Sequence, residues 1–268
     1  MSRQELKRRN HKRRQRRSKA HAAAREAAGY RVMFWNAGKE NPLRDNYPNV
    51  LAFMEDNKID VRCFMETHLY QQDLSNGVWT WLRGPEVQKS TAHTIPPRGL
   101  GVFVRKKYAA GAAVVCKGKN SMWVRLQGEK VPLYVCATHV PLDSKGRNKT
   151  LEEIASGYEQ FQSEGAVILG GDFNARCGLN GDTVQNHAGT ELRKFCKAPS
   201  RCFVILNELD LCHGQFTSER WRKGQLIRTT IDYCLAPPST KDMIRQLRLV
   251  SESELGSDHY PLVLDLGW

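Results

Sequence analysis

From residue 30 onward the chain is punctuated by short apolar runs rich in Val, Ile, Phe and Tyr, at residues 30–35, 59–64, 99–105, 121–126, 131–138, 166–170, 227–235 and 261–265. Runs of this length, bounded by glycine and other turn-forming residues, read as strands. Fewer segments carry a helical period. Val50, Leu51, Phe53 and Met54 mark one helix, and Leu151, Ile154, Tyr158 and Phe161 a second. A third runs from Thr190 to about Lys197, and a further segment follows Pro199 as far as Leu211. Strands outnumber helices, so a layered α/β protein with mixed sheets fits better than a doubly wound parallel sheet, in which the two alternate one for one. The sequence shows no internal repeat and no linker after Gly29, so one domain over residues 30–268 is expected.

Residues 1–29 are different in kind. They hold 11 Lys or Arg against 2 Glu, whereas residues 30–268 hold 30 against 26, so most of the formal net charge of +13 sits in a tail. Lys7-Arg8-Arg9, Lys12-Arg13-Arg14, Arg16-Arg17 and Lys19 come with almost no large apolar residue, a composition that cannot bury a core. A disordered arm is expected, read either as a nuclear address and nucleic-acid anchor or as a solvated charged tail. Nucleus is placed ahead of mitochondrion. No apolar stretch approaches the length of a membrane span, so no membrane partner is expected. The eight cysteines are scattered, with no Cys-x-x-Cys pair, and several lie inside apolar runs. Buried free thiols fit better than disulfides or a zinc cage.

The polar residues fall into a pattern that strands alone do not require. Asn36 follows YRVMFW, Glu66 follows IDVRCFM, His139 follows LYVCAT, and Asp172 and Asn174 follow VILGG; Asp232 sits within LIRTTIDYCL, and Asp258 and His259 precede PLVLDL. Each alone is an ordinary turn former or polar cap. Their joint recurrence at or near strand ends is harder to dismiss.

The ordered set FWNAG, METHL, THVP, GGDFNAR, TIDYCL and GSDHYPL resembles the endonuclease/exonuclease/phosphatase superfamily over roughly residues 30–268. Within it, Trp35-Asn36, Glu66-Thr67-His68, Arg98-Gly99-Leu100-Gly101-Val102, Gly170 through Ala175, Ile231-Asp232 and Gly256 through Leu262 are most similar to the apurinic-like endonuclease domain of non-LTR (LINE-type) retrotransposons. The resemblance implies a four-layered α/β (α+β) sandwich of the DNase I-like kind, with two mixed β-sheets face to face, helices outside, and a cleft at one edge. It implies a Mg²⁺-dependent phosphodiesterase, with Mn²⁺ as the substitute ion, that nicks DNA as a retrotransposon-type target-site endonuclease, a domesticated relative or an excised domain. RNA through the basic tail is the second nucleic-acid partner considered.

A phosphodiester repels an attacking hydroxide, so its hydrolysis calls for a cation on the phosphate oxygens and an oriented water. Mg²⁺ prefers oxygen ligands. The resemblance then gives Glu66 as principal ligand with Asn36 and Asp258 nearby, and leaves His68 a structural role. Asp172 orients or activates the water, Asn174 holds the phosphate or the nucleophile, and His259 contacts a phosphate oxygen with Asp232 behind it. His139 stands where abasic-site and retrotransposon enzymes usually carry Tyr, and pancreatic-type deoxyribonucleases His; an imidazole titrates near neutrality and a phenol does not, so a more pH-sensitive activity is expected. Leu142 stands where abasic-site enzymes often carry Asn, which weakens a dedicated repair role. Recognition loops are expected at Gln88 to Pro97 and at Asp143 to Lys149, the latter offering Lys145, Arg147 and Lys149 to backbone phosphates. Arg220, Arg222, Lys223 and Arg228 form a second basic cluster, broken by Trp221, and a solvated loop is the alternative reading of both. Two other readings remain: an RNA- or ribonucleoprotein-binding protein anchored by its arginine tail, and a superfamily phosphatase or ribonuclease.

Overall fold

A computed structural model of the protein describes residues 29–38, 42–69, 73–84, 99–128, 130–251 and 255–267. The basic tail up to residue 28 and the segment from Gln88 to Pro97 lie outside them. In chain order the strands are β1 (Arg31–Asn36), β2 (Val61–Met65), β3 (Trp79–Arg83), β4 (Gly101–Arg105), β5 (Ala113–Lys117), β6 (Ser121–Leu126), β7 (Leu133–His139), β8 (Ala166–Asp172), β9 (Val204–Ile205), β10 (Cys212–His213), β11 (Ser218–Arg222), β12 (Gln225–Thr229), β13 (Asp232–Ala236), β14 (Ile244–Leu249) and β15 (Leu262–Leu266). The helices are α1 (Pro42–Asp45), α2 (Tyr47–Asp56), α3 (Lys106–Ala109), α4 (Ser144–Phe161), α5 (His187–Cys196) and α6 (Pro238–Lys241).

Two mixed sheets carry the architecture. One has the order β10-β14-β15-β1-β2-β4-β3, the other β5-β6-β7-β8-β13-β9, and β11 and β12 form a separate hairpin. Alternation along each strand sorts its side chains. Val32 and Phe34 of β1, Val61, Cys63 and Met65 of β2, Val135 and Ala137 of β7 and Ile168 of β8 fill the core between the sheets. Met33, Trp35 and Phe64 face out against α2. Tyr134, Cys136, Val167 and Leu169 face α4 and α5. The result is helix, sheet, sheet, helix, a DNase I-like sandwich.

The outer helices follow from local chemistry. Asp143 caps α4 by accepting from the Gly146 N–H at 2.7 Å, and Asn186 caps α5 from the Gly189 N–H at 2.8 Å. Leu151, Ile154, Tyr158 and Phe161 then line the buried face of α4 at helical spacing. The expected recognition loop from Asp143 to Lys149 is therefore the cap and opening turns of a helix. Two other sequence expectations change. The run at 227–235 divides into β12 and β13, and the segment expected to be helical up to Leu211 holds β9 and a single 3₁₀ turn, Leu206–Glu208. The short β3, β5, β9, β10 and β14 carried too little apolar pattern to stand out.

Candidate active site

Inner-face parity explains why the polar residues meet. Asn36 continues the inward set of Val32 and Phe34, and His139 that of Val135 and Ala137; Asp172 continues Ile168, and Asp232 precedes the inward Cys234 and Ala236. All four emerge at the same end of the inter-sheet space. In the ladder His139 pairs with Asp172 and Asp172 with Asp232, so three strands deliver three polar side chains at one level. The two sheets close on each other there: Asn36 Nδ2 donates to Asp172 Oδ2 at 2.9 Å.

Glu66 breaks the parity. Alternation would send it outward with Phe64, but its backbone is left-handed, with φ +51°. Its carboxylate instead lies 3.0 Å from His139 Nε2, with His68 Nε2 at 3.7 Å from the other oxygen. His68 (φ +49°) and Asn174 (φ +47°) share this uncommon conformation, which also occurs at turns away from the site such as Lys58 and Lys223. Asn174 donates its own N–H to Asp172 Oδ1 at 2.8 Å and its side-chain amide to the Val140 carbonyl at 2.9 Å. Asp172 thus receives hydrogen bonds on both oxygens.

His259 completes the cluster. Its Nδ1 lies 3.0 and 3.2 Å from the two oxygens of Asp232, and its Nε2 turns toward Asp172 at 3.9 Å and Asp258 at 4.0 Å. Burial works against the imidazolium, but the Asp232 carboxylate, with Asp172 and Asp258 beyond it, outweighs that cost and holds the His259 pKa up at about 10. Burial also raises Asp232, to about 6, against the pull of the same His259. Between those values the pair is ionic.

Asp172, Asp232 and His259 place one donor atom each within 4.8 Å of one another, a buried group able to hold an ion. A protonated His259 is a poor ligand, because a metal binds the neutral imidazole. The oxygens around it, from Glu66, Asn36, Asp172 and Asp258, suit a hard divalent cation. Asn36 Oδ1 already accepts the Gly38 N–H at 2.9 Å, and Asp258 is exposed at the rim.

The basic candidates separate. Lys145 and Lys149 are exposed on the first turns of α4, and Arg222 and Lys223 at the tip of the β11–β12 hairpin. Arg147 is a correction: it is buried, its Nε paired with Glu191 and its Nη1 on the Leu142 carbonyl, so its guanidinium is consumed by the fold. Arg228, though exposed, pairs with Glu219 at 2.6 Å. Sequence reading missed Thr217, whose buried hydroxyl accepts the N–H groups of Ile231 and Asp232, each at 3.0 Å, and bonds the Asp232 carboxyl. It also missed Ser257, which donates to the Asn36 carbonyl at 2.9 Å and accepts from the His259 N–H at 3.0 Å. Ser257 lies inside a motif already singled out. Thr217 carries no local signal.

Residues 133–263, which hold β7, β8, β13 and the His259 turn, match the family model described as endonuclease-reverse transcriptase. That match, to a family of the endonuclease/exonuclease/phosphatase superfamily, covers just under half of the chain. Over the rest of the described chain the likeness is one of fold, to solved structures of low sequence identity. The endonuclease domain of TRAS1, a telomere-specific non-LTR retrotransposon, matches with a TM-score of 0.64 at 19% identity, over 88% of this chain and 98% of its own. An AP endonuclease, LMAP, from Leishmania major gives 0.67 at 14% identity, over 89% and 88%. A 3′ phosphatase, NExo, from Neisseria, bound to product DNA hairpin, gives 0.64 at 16%, over 89% and 100%. A search of curated proteins by sequence finds no match.

Proposed function

We propose that the chain is a Mg²⁺-dependent phosphodiesterase that nicks DNA. The observation that carries this reading is the Asn36–Asp172 contact, which closes the two sheets around Glu66, His139, Asp232 and His259. Glu66 would hold the cation with Asn36 and Asp258, and the ion supplies positive charge to the phosphate oxygens. Asp172, oriented by Asn36 and the Asn174 N–H, takes the proton of the attacking water at a carboxylate oxygen. The imidazolium of His259, kept charged by Asp232, donates from Nε2 to a non-bridging phosphate oxygen. His139 Nε2 hydrogen-bonds the leaving oxygen as its bond to phosphorus breaks.

The overall charge of +13 favours an anionic polymer, and NExo, a protein of similar fold, holds DNA. A target-site role in the manner of TRAS1 is the finer reading this supports, and the arginine-rich tail favours the nucleus. The test is incubation of the purified chain with supercoiled plasmid, abasic duplex or structured RNA, in Mg²⁺ or EDTA, beside Glu66→Ala and Asp172→Ala. Nicked circles that disappear with EDTA and with either variant are expected. No cleavage of any substrate, or cleavage indifferent to EDTA and to both variants, overturns the proposal; cutting of RNA alone moves the substrate and keeps the chemistry.

A further inference from the structure

The β11–β12 hairpin is tied directly to the catalytic turn. Ser218 bridges His259, and the Glu219 N–H donates to the Asp258 carbonyl at 2.8 Å. Three residues beyond Ser218, Trp221 is 73% exposed. Water-facing tryptophan costs hydrophobic free energy, and an exposed large aromatic marks a contact more often than an exposed aliphatic does. Leu142, 68% exposed, follows His139 by three residues. Among the described residues these are the two most exposed large hydrophobic side chains; Trp221 lies in β11, which starts beside His259, and Leu142 follows β7, which ends in the site.

The hairpin register divides its chemistry between two faces. Trp221 pairs with Leu226 and Glu219 with Arg228, whereas Arg220 pairs with Ile227 and Arg222 with Gln225. Directly opposed residues share a face, so Trp221, Leu226 and the neutralised Glu219–Arg228 pair lie on one side. The exposed guanidiniums of Arg220 and Arg222 lie on the other, with Lys223 at the turn. A ribbon with an aromatic plane on one face and positive charge on the other fits a strand whose bases and phosphates can be contacted separately. In an intact duplex the bases are stacked on each other and offer no plane to Trp221.

We propose that Trp221 is a stacking platform for an unpaired base, and that the preferred substrate is DNA with an unpaired stretch beside the scissile phosphate. This rests on the nuclease reading but is measured apart from it, by binding in EDTA. The probes are fluorescein-labelled 24-bp duplex DNA and the same duplex with a five-nucleotide bulge, followed by anisotropy for the wild type, Trp221→Ala, Trp221→Phe and the double variant Arg220→Gln/Arg222→Gln. The wild type is expected to bind the bulged probe about 5- to 150-fold tighter, the range set by stacking one base on an aromatic side chain. Trp221→Ala should lose that preference and Trp221→Phe regain most of it, both with unchanged melting temperature. The arginine double variant should weaken both probes alike. Equal binding of the two probes by the wild type, or a preference that survives in Trp221→Ala, overturns the proposal while leaving Mg²⁺-dependent nicking untouched. Failure to bind either probe removes this inference together with DNA as the substrate.

Discussion

Asp232 and His259 show how the site works against its own burial. A buried carboxylate is costly, and the attraction of His259 does not fully offset that cost, since the Asp232 pKa still rises to about 6. The imidazole gains what the carboxylate loses. A group whose folded pKa lies above its ordinary value stabilises the fold below that ordinary value, and the contribution disappears as pH rises through the folded value. For His259 that window ends at about 10. In metal-free protein, the His259 ring signals in NMR are expected to stay those of an imidazolium up to that pH, and Asp232→Asn should let the ring titrate at a lower one. A His259 that titrates near 6.5 in the wild type would contradict the arrangement. The partnership came from the family resemblance and not from spacing, since residues 232 and 259 are 27 apart in the chain. The acidic and imidazole candidates themselves were legible, because each lay within an apolar run or beside one of its ends. Glu66 was legible by motif only, since strand alternation alone points it the wrong way.

At the scale of elements, β8 is the piece that lets two sheets share a site. Facing sheets sit about 10 Å apart, and side chains ordinarily fill the gap. A methyl on Gly170 would lie 2.5 Å from the ring of Phe34 on β1, and one on Gly171, at φ +146°, 2.0 Å from the Thr138 carbonyl. Gly170→Ala is expected to cost about 1–3 kcal/mol, as overpacking does, and to lower nicking by moving Asp172 away from Asn36. Gly171→Ala should cost more, because it meets backbone and not a ring able to shift. Equilibrium denaturation paired with a nicking assay checks both; wild-type stability in either would show that the close approach is not needed. The pair was readable as a break after a buried strand, but not as a sheet-to-sheet contact, which depends on β1, encoded about 135 residues earlier. Arg147 teaches the converse. A basic residue among exposed lysines looked like a phosphate contact, yet helix periodicity turns it inward onto Glu191. Arg147→Ala should lower stability by about 1–3 kcal/mol and leave the salt dependence of DNA binding unchanged. A shallower salt slope in that variant would restore it to the interface.

The whole molecule joins a nearly balanced domain to a strongly basic tail, with a basic hairpin rooted at the His259 turn. The layering was legible because strands outnumber helices and their runs are short; the sheet orders were not, because edge strands such as β5 and the two-residue β10 show too little apolar pattern to be placed. If the tail and the hairpin both engage phosphates, the logarithm of the binding constant falls linearly with the logarithm of salt, at about −0.9 per phosphate neutralised. Removing residues 1–28 should flatten that slope while leaving Mg²⁺-dependent nicking at low salt intact. An unchanged slope would assign DNA binding to the domain alone.

The central claim is that the cluster around Asp172 hydrolyses a phosphodiester with Asp172 taking the proton. Single-turnover nicking of plasmid in Mg²⁺, wild type beside Asp172→Asn, measures it most directly. Asparagine keeps the shape of the side chain and removes the base, so with the circular dichroism spectrum unchanged the rate is expected to fall by about 10²- to 10⁴-fold. A rate within twofold of the wild type would contradict the account.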